Sequence, residues 1–413
     1  MDAVGADPSR AATLAGRLGH VSARARPEGG PNALAREREH LLAAGVELLD
    51  LTDSNPTRHG LTHPAVLEAV ARAAGRAHRY HPDPRGPRAA REALAGRFGG
   101  APDDYWLTAS TSEAYGWLFT LLADPGEAVG VSAPGYPLVE PLAALASVRT
   151  APYAVHHLHP YGWSIDTGEV AAVAARPDVR AVVVVQPGNP TGAYADAAER
   201  AAVVGACAAG GAALIVDEVF APFALDEGAP ARLSGEAAVL TFGLDGLSKL
   251  LCAPQLKLGW LRVSGPRDEV AAVAPALDSI ADAYLSVNAP VAAALPELLA
   301  LADESVAATR RRLATNLACA RAVLDDGPFR VRRCGGGWTV LVDVPRYLPD
   351  DDLVLTLLRQ AHLAVHPGWF YELPTTGTLA LSLLPEPAAF AAGCRRLRAA
   401  VDALDPLDPL DPR

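Results

Sequence analysis

The feature that most constrains this chain is an alternation of short apolar runs with amphipathic helical stretches. The runs at 104–108, 128–132, 181–185, 213–216, 239–242 and 259–263 read as strands. Several are continuously apolar, as expected for strands covered on both faces. Helical stretches such as 113–122 and 196–209 lie between them. Strand and helix in turn point to βαβ units around a mostly parallel sheet, an α/β architecture.

From about residue 266 the pattern changes. A long helical region runs through Leu301 and on through Leu324. Strands follow near 329–332 and 338–344, then helices near 351–361 and 387–404. This reads as a smaller α+β domain. With 413 residues the chain is too long for one ordinary core. The expected division is a flexible arm over 1–31, a small-domain segment over 32–62, a large domain over 63–300, the rest of the small domain over 301–404 and a frayed tail over 405–413.

Composition excludes more than it identifies. A net charge of −11 argues against a nucleic-acid partner. No apolar stretch is long enough to span a membrane, and the first residues lack the apolar core of a secretion signal. The five cysteines show no paired spacing and read as buried thiols in a reducing cytosol. The eleven histidines show no metal-ligand spacing, so no metal is expected.

Five motifs carry possible chemistry, and each has a plain alternative. Gly246-Leu247-Ser248-Lys249 places a lysine just past a strand. By itself the tetrapeptide reads better as carrying a plain surface lysine. Gly188-Asn189-Pro190-Thr191-Gly192 follows a buried strand at the sheet edge where ligands bind, although a simple turn uses the same residues. Asp217-Glu218 ends another buried strand, where an acid is costly unless exposed or paired with a cation; a helix cap is the alternative. Ser110-Thr111-Ser112-Glu113 opens a helix, which suits an anion such as phosphate and equally suits a capping box. Tyr136 follows the next strand, either as a core ring or as a stacking surface.

Taken in this order and spacing, the motifs resemble the class I/II aminotransferases, pyridoxal-phosphate (PLP) enzymes of fold type I. The resemblance covers roughly residues 48 to 400 and includes Asp53-Ser54-Asn55-Pro56-Thr57-Arg58 and Pro254-Gln255-Leu256-Lys257-Leu258. It implies a mostly parallel seven-stranded sheet in a large domain beside a smaller α+β domain. It also implies roles. Lys249 would hold PLP as a Schiff base and shuttle the α-proton. Asp217 would pair with the ring nitrogen, Asn189 with the phenolic oxygen, and Tyr136 would stack on the ring. Ser110, Thr111, Ser112, Ser248 and Lys257 would bind the phosphate. Tyr80 would reach the phosphate of a neighbouring subunit, which implies a homodimer with shared sites.

Three positions depart from the family pattern. Lys257 stands where an arginine is usual, and keeps charge without the bidentate fork. Phe220 replaces a tyrosine three residues after Asp217. Ala380, in Thr378-Leu379-Ala380-Leu381-Ser382, replaces the arginine that grips a substrate's α-carboxylate. Arg58 and Arg85 are candidate replacements, and each would equally serve as a solvated arginine. Asn55 and Trp338 are further candidates for the substrate wall. His366-Pro367-Gly368-Trp369-Phe370-Tyr371 is either a loop near the cleft or a core aromatic cluster.

The expected function is transfer of an amino group between an L-amino acid and a 2-oxo acid. The missing arginine keeps a second outcome open: elimination, replacement or C–C bond formation on the same cofactor, for instance with an S-adenosylmethionine-like substrate. A non-catalytic protein retaining the fold is the third reading, opposed by the intact lysine and aspartate.

Overall fold

Val179–Val185 shows how the sheet forms. It reads Val-Arg-Ala-Val-Val-Val-Val, and its side chains are buried on both faces. β-branched residues at nearly every position favour the extended backbone and leave no face for water. The computed structural model describes residues 22–25, 32–226, 232–325 and 327–404. The expected tail over 405–413, and the arm over 1–31 apart from 22–25, lie outside the described residues.

In chain order the strands are β1 (Leu49–Asp50), β2 (Tyr105–Thr108), β3 (Ala128–Ala133), β4 (Arg149–Leu158), β5 (Gly162–Ile165), β6 (Val179–Val185) and β7 (Ala213–Asp217). They continue with β8 (Thr241–Gly246), β9 (Gly259–Ser264), β10 (Arg330–Val331), β11 (Thr339–Asp343), β12 (Leu363–Ala364), β13 (His366–Pro367) and β14 (Thr378–Ser382). The large sheet has the order β2-β9-β8-β7-β6-β3-β4-β5. From β2 to β4 only β9 runs against the others.

The expected seven strands are therefore eight. β5 adds to β4 as an antiparallel hairpin, pairing Val155 with Ile165 through Leu158 with Gly162. Neither strand shows the continuous apolar run of the central ones. Pro152 falls where β4 pairs with β3 alone, so its missing N–H interrupts no second ladder. β8 also lies further along than the expected 239–242. Its second half, Gly243-Leu244-Asp245-Gly246, has poor strand propensity, and its full ladder with β9 overrides that.

Apolar layers cover the large sheet on both faces. Phe119, Ile215 and Phe242 belong to one, and Tyr153, Leu214 and Val216 to the other. The long helical region is three helices, Arg267–Tyr284, Ala289–Ala300 and Ala302–Leu324. Asn288 starts the second by accepting the Val291 N–H at 3.2 Å.

A four-stranded sheet, β10-β11-β14-β13, builds a separate core with Phe329, Trp338 and Phe390. Leu34, Leu49 and Leu51 belong to this core. β1 pairs parallel with β12, Leu49 opposite Leu363, and Leu51 is buried in the same cluster. Within the sheet, Ala380 of β14 lies opposite both Leu341 and His366.

Candidate active site

Strands β2, β3, β6, β7 and β8 all point the same way, so their following loops emerge at one edge. That carboxyl edge is where α/β sheets bind ligands. A cleft of about 380 Å³ lies there, between the large sheet and the four-stranded one. Residues from all five strand ends line it: Ser110 and Thr111, Tyr136, Asn189, Asp217, and Ser248 with Lys249.

Lys249 sits on a single helical turn, Leu247–Leu250. Its Nζ is 4.8 Å from the Trp338 ring centre and 5.4 Å from that of Phe220. Burial against these rings pushes the ammonium below its usual range, opposed by the charge of Asp217. That direction favours the neutral amine, the form a nucleophilic lysine needs. Gly246 lets β8 close tightly on its neighbour: a Cβ there would come within 3.0 Å of Gly259 Cα.

Asp217 is 3% exposed. Its Oδ1 accepts the Val219 N–H at 3.2 Å, and its Oδ2 accepts the Tyr115 hydroxyl at 3.1 Å. Burial raises its pKa to about 6, against the lowering effect of those two donors. Glu218, next in sequence, serves another purpose. It accepts from Leu233 N–H at 2.6 Å and Ser234 Oγ at 2.5 Å, and lies 3.7 Å from Arg232, which also binds Asp245 at 2.6 Å. One acid of the pair faces the cleft; the other anchors a buried ion cluster.

At the helix Thr111–Leu122 the Ser-Thr-Ser motif forms a helix cap and opens on the cleft. Ser110 caps the helix by accepting the Glu113 N–H at 3.2 Å, while Glu113 accepts from Ala109 N–H at 2.6 Å. Ser110 and Thr111 still line the cleft, and helix geometry leaves the Thr111 and Ser112 amides without intrahelical acceptors. Ser112 hydrogen-bonds Tyr136, whose hydroxyl is pushed up to about 12 by burial.

Several expected residues lie elsewhere. Lys257 is exposed and outside the cleft lining; it ends the turn Pro254–Leu256 in a left-handed conformation (φ 50°). Arg85 is held away by Asp278, with Nε and Nη2 each 2.7 Å from its carboxylate, and it stacks on Trp106 at 4.2 Å. That bidentate pair uses the fork a substrate carboxylate would need. Arg58 is exposed and meets Asp53 at 3.3 Å. Asn55 caps the turn Pro56–His59, accepting from Thr57 N–H at 3.1 Å. Tyr80 is 73% exposed and borders a separate cavity with Arg76 and Trp117.

The opposite wall comes from the four-stranded sheet and the segment before it. Trp338 lines it as expected, with Thr339, His366, Phe370 and Tyr371, and with Thr52 and Ser54. The His366 to Tyr371 stretch is thus both cleft wall and aromatic cluster. His366 stacks on Phe370 at 4.6 Å, and Tyr371 packs in one apolar cluster with Ala380. No arginine is among the described lining residues. Thr52, Ser54 and Thr339 escaped the sequence reading because isolated hydroxyl residues carry no local signal.

This architecture is that of the fold type I aminotransferases. The structure matches an alanine aminotransferase from Pyrococcus furiosus with a TM-score of 0.85 at 21% identity, over 93% of this chain and all of that one. The sequence profile of the family described as aminotransferase class I and II matches residues 46–388, and the chain belongs to that family. An alanine aminotransferase of Mycobacterium tuberculosis is 27% identical over 375 residues, 86% of each chain. A probable N-succinyldiaminopimelate aminotransferase of the same organism is 29% identical over 325 residues, 75% of this chain and 78% of that one. The chain is accordingly an enzyme of amino-group transfer.

Proposed function

We propose that the chain uses PLP, held by Lys249, to move an amino group between an L-amino acid and a 2-oxo acid. The observation that carries this reading is the placement of Lys249 and the buried Asp217 in one cleft. Asp217 has neutral donors on both oxygens and, among the described residues, no cation in direct contact. A protonated pyridine nitrogen supplies the missing charge, so the residues present fit the cofactor.

Bound there, PLP would supply an electron sink for the pair left when the α-proton departs. The protein's residues do the rest. Lys249 Nζ would serve as the base that takes the proton from the substrate α-carbon and as the acid that gives it back. Asp217 holds the ring nitrogen in its protonated form. Asn189 hydrogen-bonds the phenolic oxygen, and Tyr136 covers the ring. The helix start at Thr111 and Ser112, with Ser110 and Ser248, holds the phosphate. Lys257 has no part in this cradle.

On the opposite wall a substrate carboxylate meets neutral donors: Thr52, Ser54, Thr339, His366 and Tyr371. Burial lowers the pKa of His366, which favours its neutral form. The enzyme works as a homodimer, with Tyr80 of the partner subunit reaching the phosphate; the 73% exposure of Tyr80, away from the cleft of its own chain, supports this. No described helix is long and apolar enough to cross a membrane, and we place the enzyme in the cytoplasm.

The test is spectral. Purified protein given PLP develops the absorbance of the lysine-bound cofactor, and single L-amino acids convert it to the amine form. Lys249→Ala lacks the lysine-bound band. A native protein that takes up no PLP ends this reading. Ammonia release without build-up of the amine form replaces transfer by elimination.

A further inference from the structure

Tyr115 lies four residues into the helix that starts at the proposed phosphate cradle. It is wholly buried, and its ring packs on Phe119 at 5.7 Å. Its hydroxyl donates to Asp217 Oδ2 at 3.1 Å. The other donor to Asp217 is a backbone N–H, so among the described residues Tyr115 is the single side chain that hydrogen-bonds this carboxylate.

We propose that Tyr115 is a positioning residue for the cofactor's ring nitrogen: its hydroxyl holds Asp217 as an anion turned toward the cleft. The proposal rests on the assignment of Asp217 given above. A carboxylate buried among apolar residues needs donors to stay ionised, and the type of donor matters. An arginine or lysine in this place would neutralise the charge and weaken its hold on a pyridinium. A hydroxyl stabilises the anion yet leaves its full charge for the ring. Burial and the neighbouring Asp217 raise the Tyr115 phenol well above its ordinary range, so it remains a donor at every working pH. The other titratable groups facing Asp217 are Tyr136 beyond β3, Asp245 on β8 and Lys249 on the helical turn. None of them donates a hydrogen bond to it. Phenylalanine fills the same space and leaves Oδ2 without its donor.

The experiment is absorbance titration of apoenzyme with PLP between pH 5 and 9, for wild type, Tyr115→Phe, Asp217→Asn and the double variant. Tyr115→Phe is expected to raise the Kd for PLP about tenfold at neutral pH, the size of one hydrogen bond to a charged group. The midpoint below which PLP binding is lost should move up by about one pH unit. In the Asp217→Asn background the same change should alter Kd by less than about twofold, because the two groups act as a pair. Equal losses in both backgrounds with an unmoved midpoint identify Tyr115 as packing alone and overturn the proposal. A wild-type titration in Tyr115→Phe overturns it too. If Asp217→Asn by itself leaves PLP binding unchanged, the assignment of Asp217 falls and the proposal with it; a silent Tyr115→Phe beside a damaged Asp217→Asn removes Tyr115 only.

Discussion

The two walls of the cleft were built by different means. The large-sheet wall places one lysine, one buried carboxylate, an asparagine, a ring and a helix start at five strand ends. Each sits in a short recognisable stretch, and each is proposed to meet one feature of PLP. The facing wall is assembled from Thr52, Ser54, Trp338, Thr339, His366, Phe370 and Tyr371, which span over three hundred positions of sequence. It carries hydroxyls and rings where the family pattern has an arginine. The cofactor side answers to a fixed ligand, whereas the substrate side is free to vary. On the function proposed above, specificity would reside in neutral hydrogen bonds and shape.

The sharpest way to break this contrast is Asp217→Asn. On the cofactor side it removes the anion, and kcat should fall by about 10²- to 10³-fold, as for loss of a preorganised charge. The same change should make the apoenzyme more stable. The folded pKa of about 6 lies above that of an unfolded aspartate, so the folded state holds the proton more tightly. Ionisation then costs stability above pH 6, and the cost disappears as pH falls through 6 toward about 4. Apo Asp217→Asn should exceed wild type by about 2 kcal/mol at pH 8, with the gap closing in acid, as read by apoenzyme unfolding.

A change on the facing wall should separate the two sides. Tyr371→Phe and His366→Ala are expected to raise KM for the amino acid about tenfold while PLP affinity stays within about twofold. Loss of PLP binding in either variant would erase the division between walls. Arg85→Ala should leave KM unchanged and lower stability by about 1–2 kcal/mol in urea unfolding, since Asp278 loses its partner. Arg58→Ala should be smallest, within about 0.5 kcal/mol and twofold in KM, because the Arg58 side chain is 67% exposed beside Asp53. A raised KM in either arginine variant would return a cation to the substrate side.

By itself the sequence determined the central strands, their helices and the cofactor wall. Burial on both faces forces continuous apolar runs, and a strand end that must turn and bind carries Gly, Pro, Asn or Ser within a few residues. These are local demands, so local residues record them. The hairpin of β4 and β5 was not legible, because Pro152 and the paired histidines break the apolar run. The end of β8 was misread because its ladder with β9 outweighs the weak propensity of Gly243 to Gly246. The fate of Arg58, Arg85 and Lys257 was also hidden: an arginine reads the same whether it faces a substrate or Asp278. Only tertiary structure decided that, along with the meeting of Ala380 and His366 and of Tyr115 and Asp217. Those pairs are joined by sheet register and helix packing across long separations, and no single stretch of chain carries the energy that selects them.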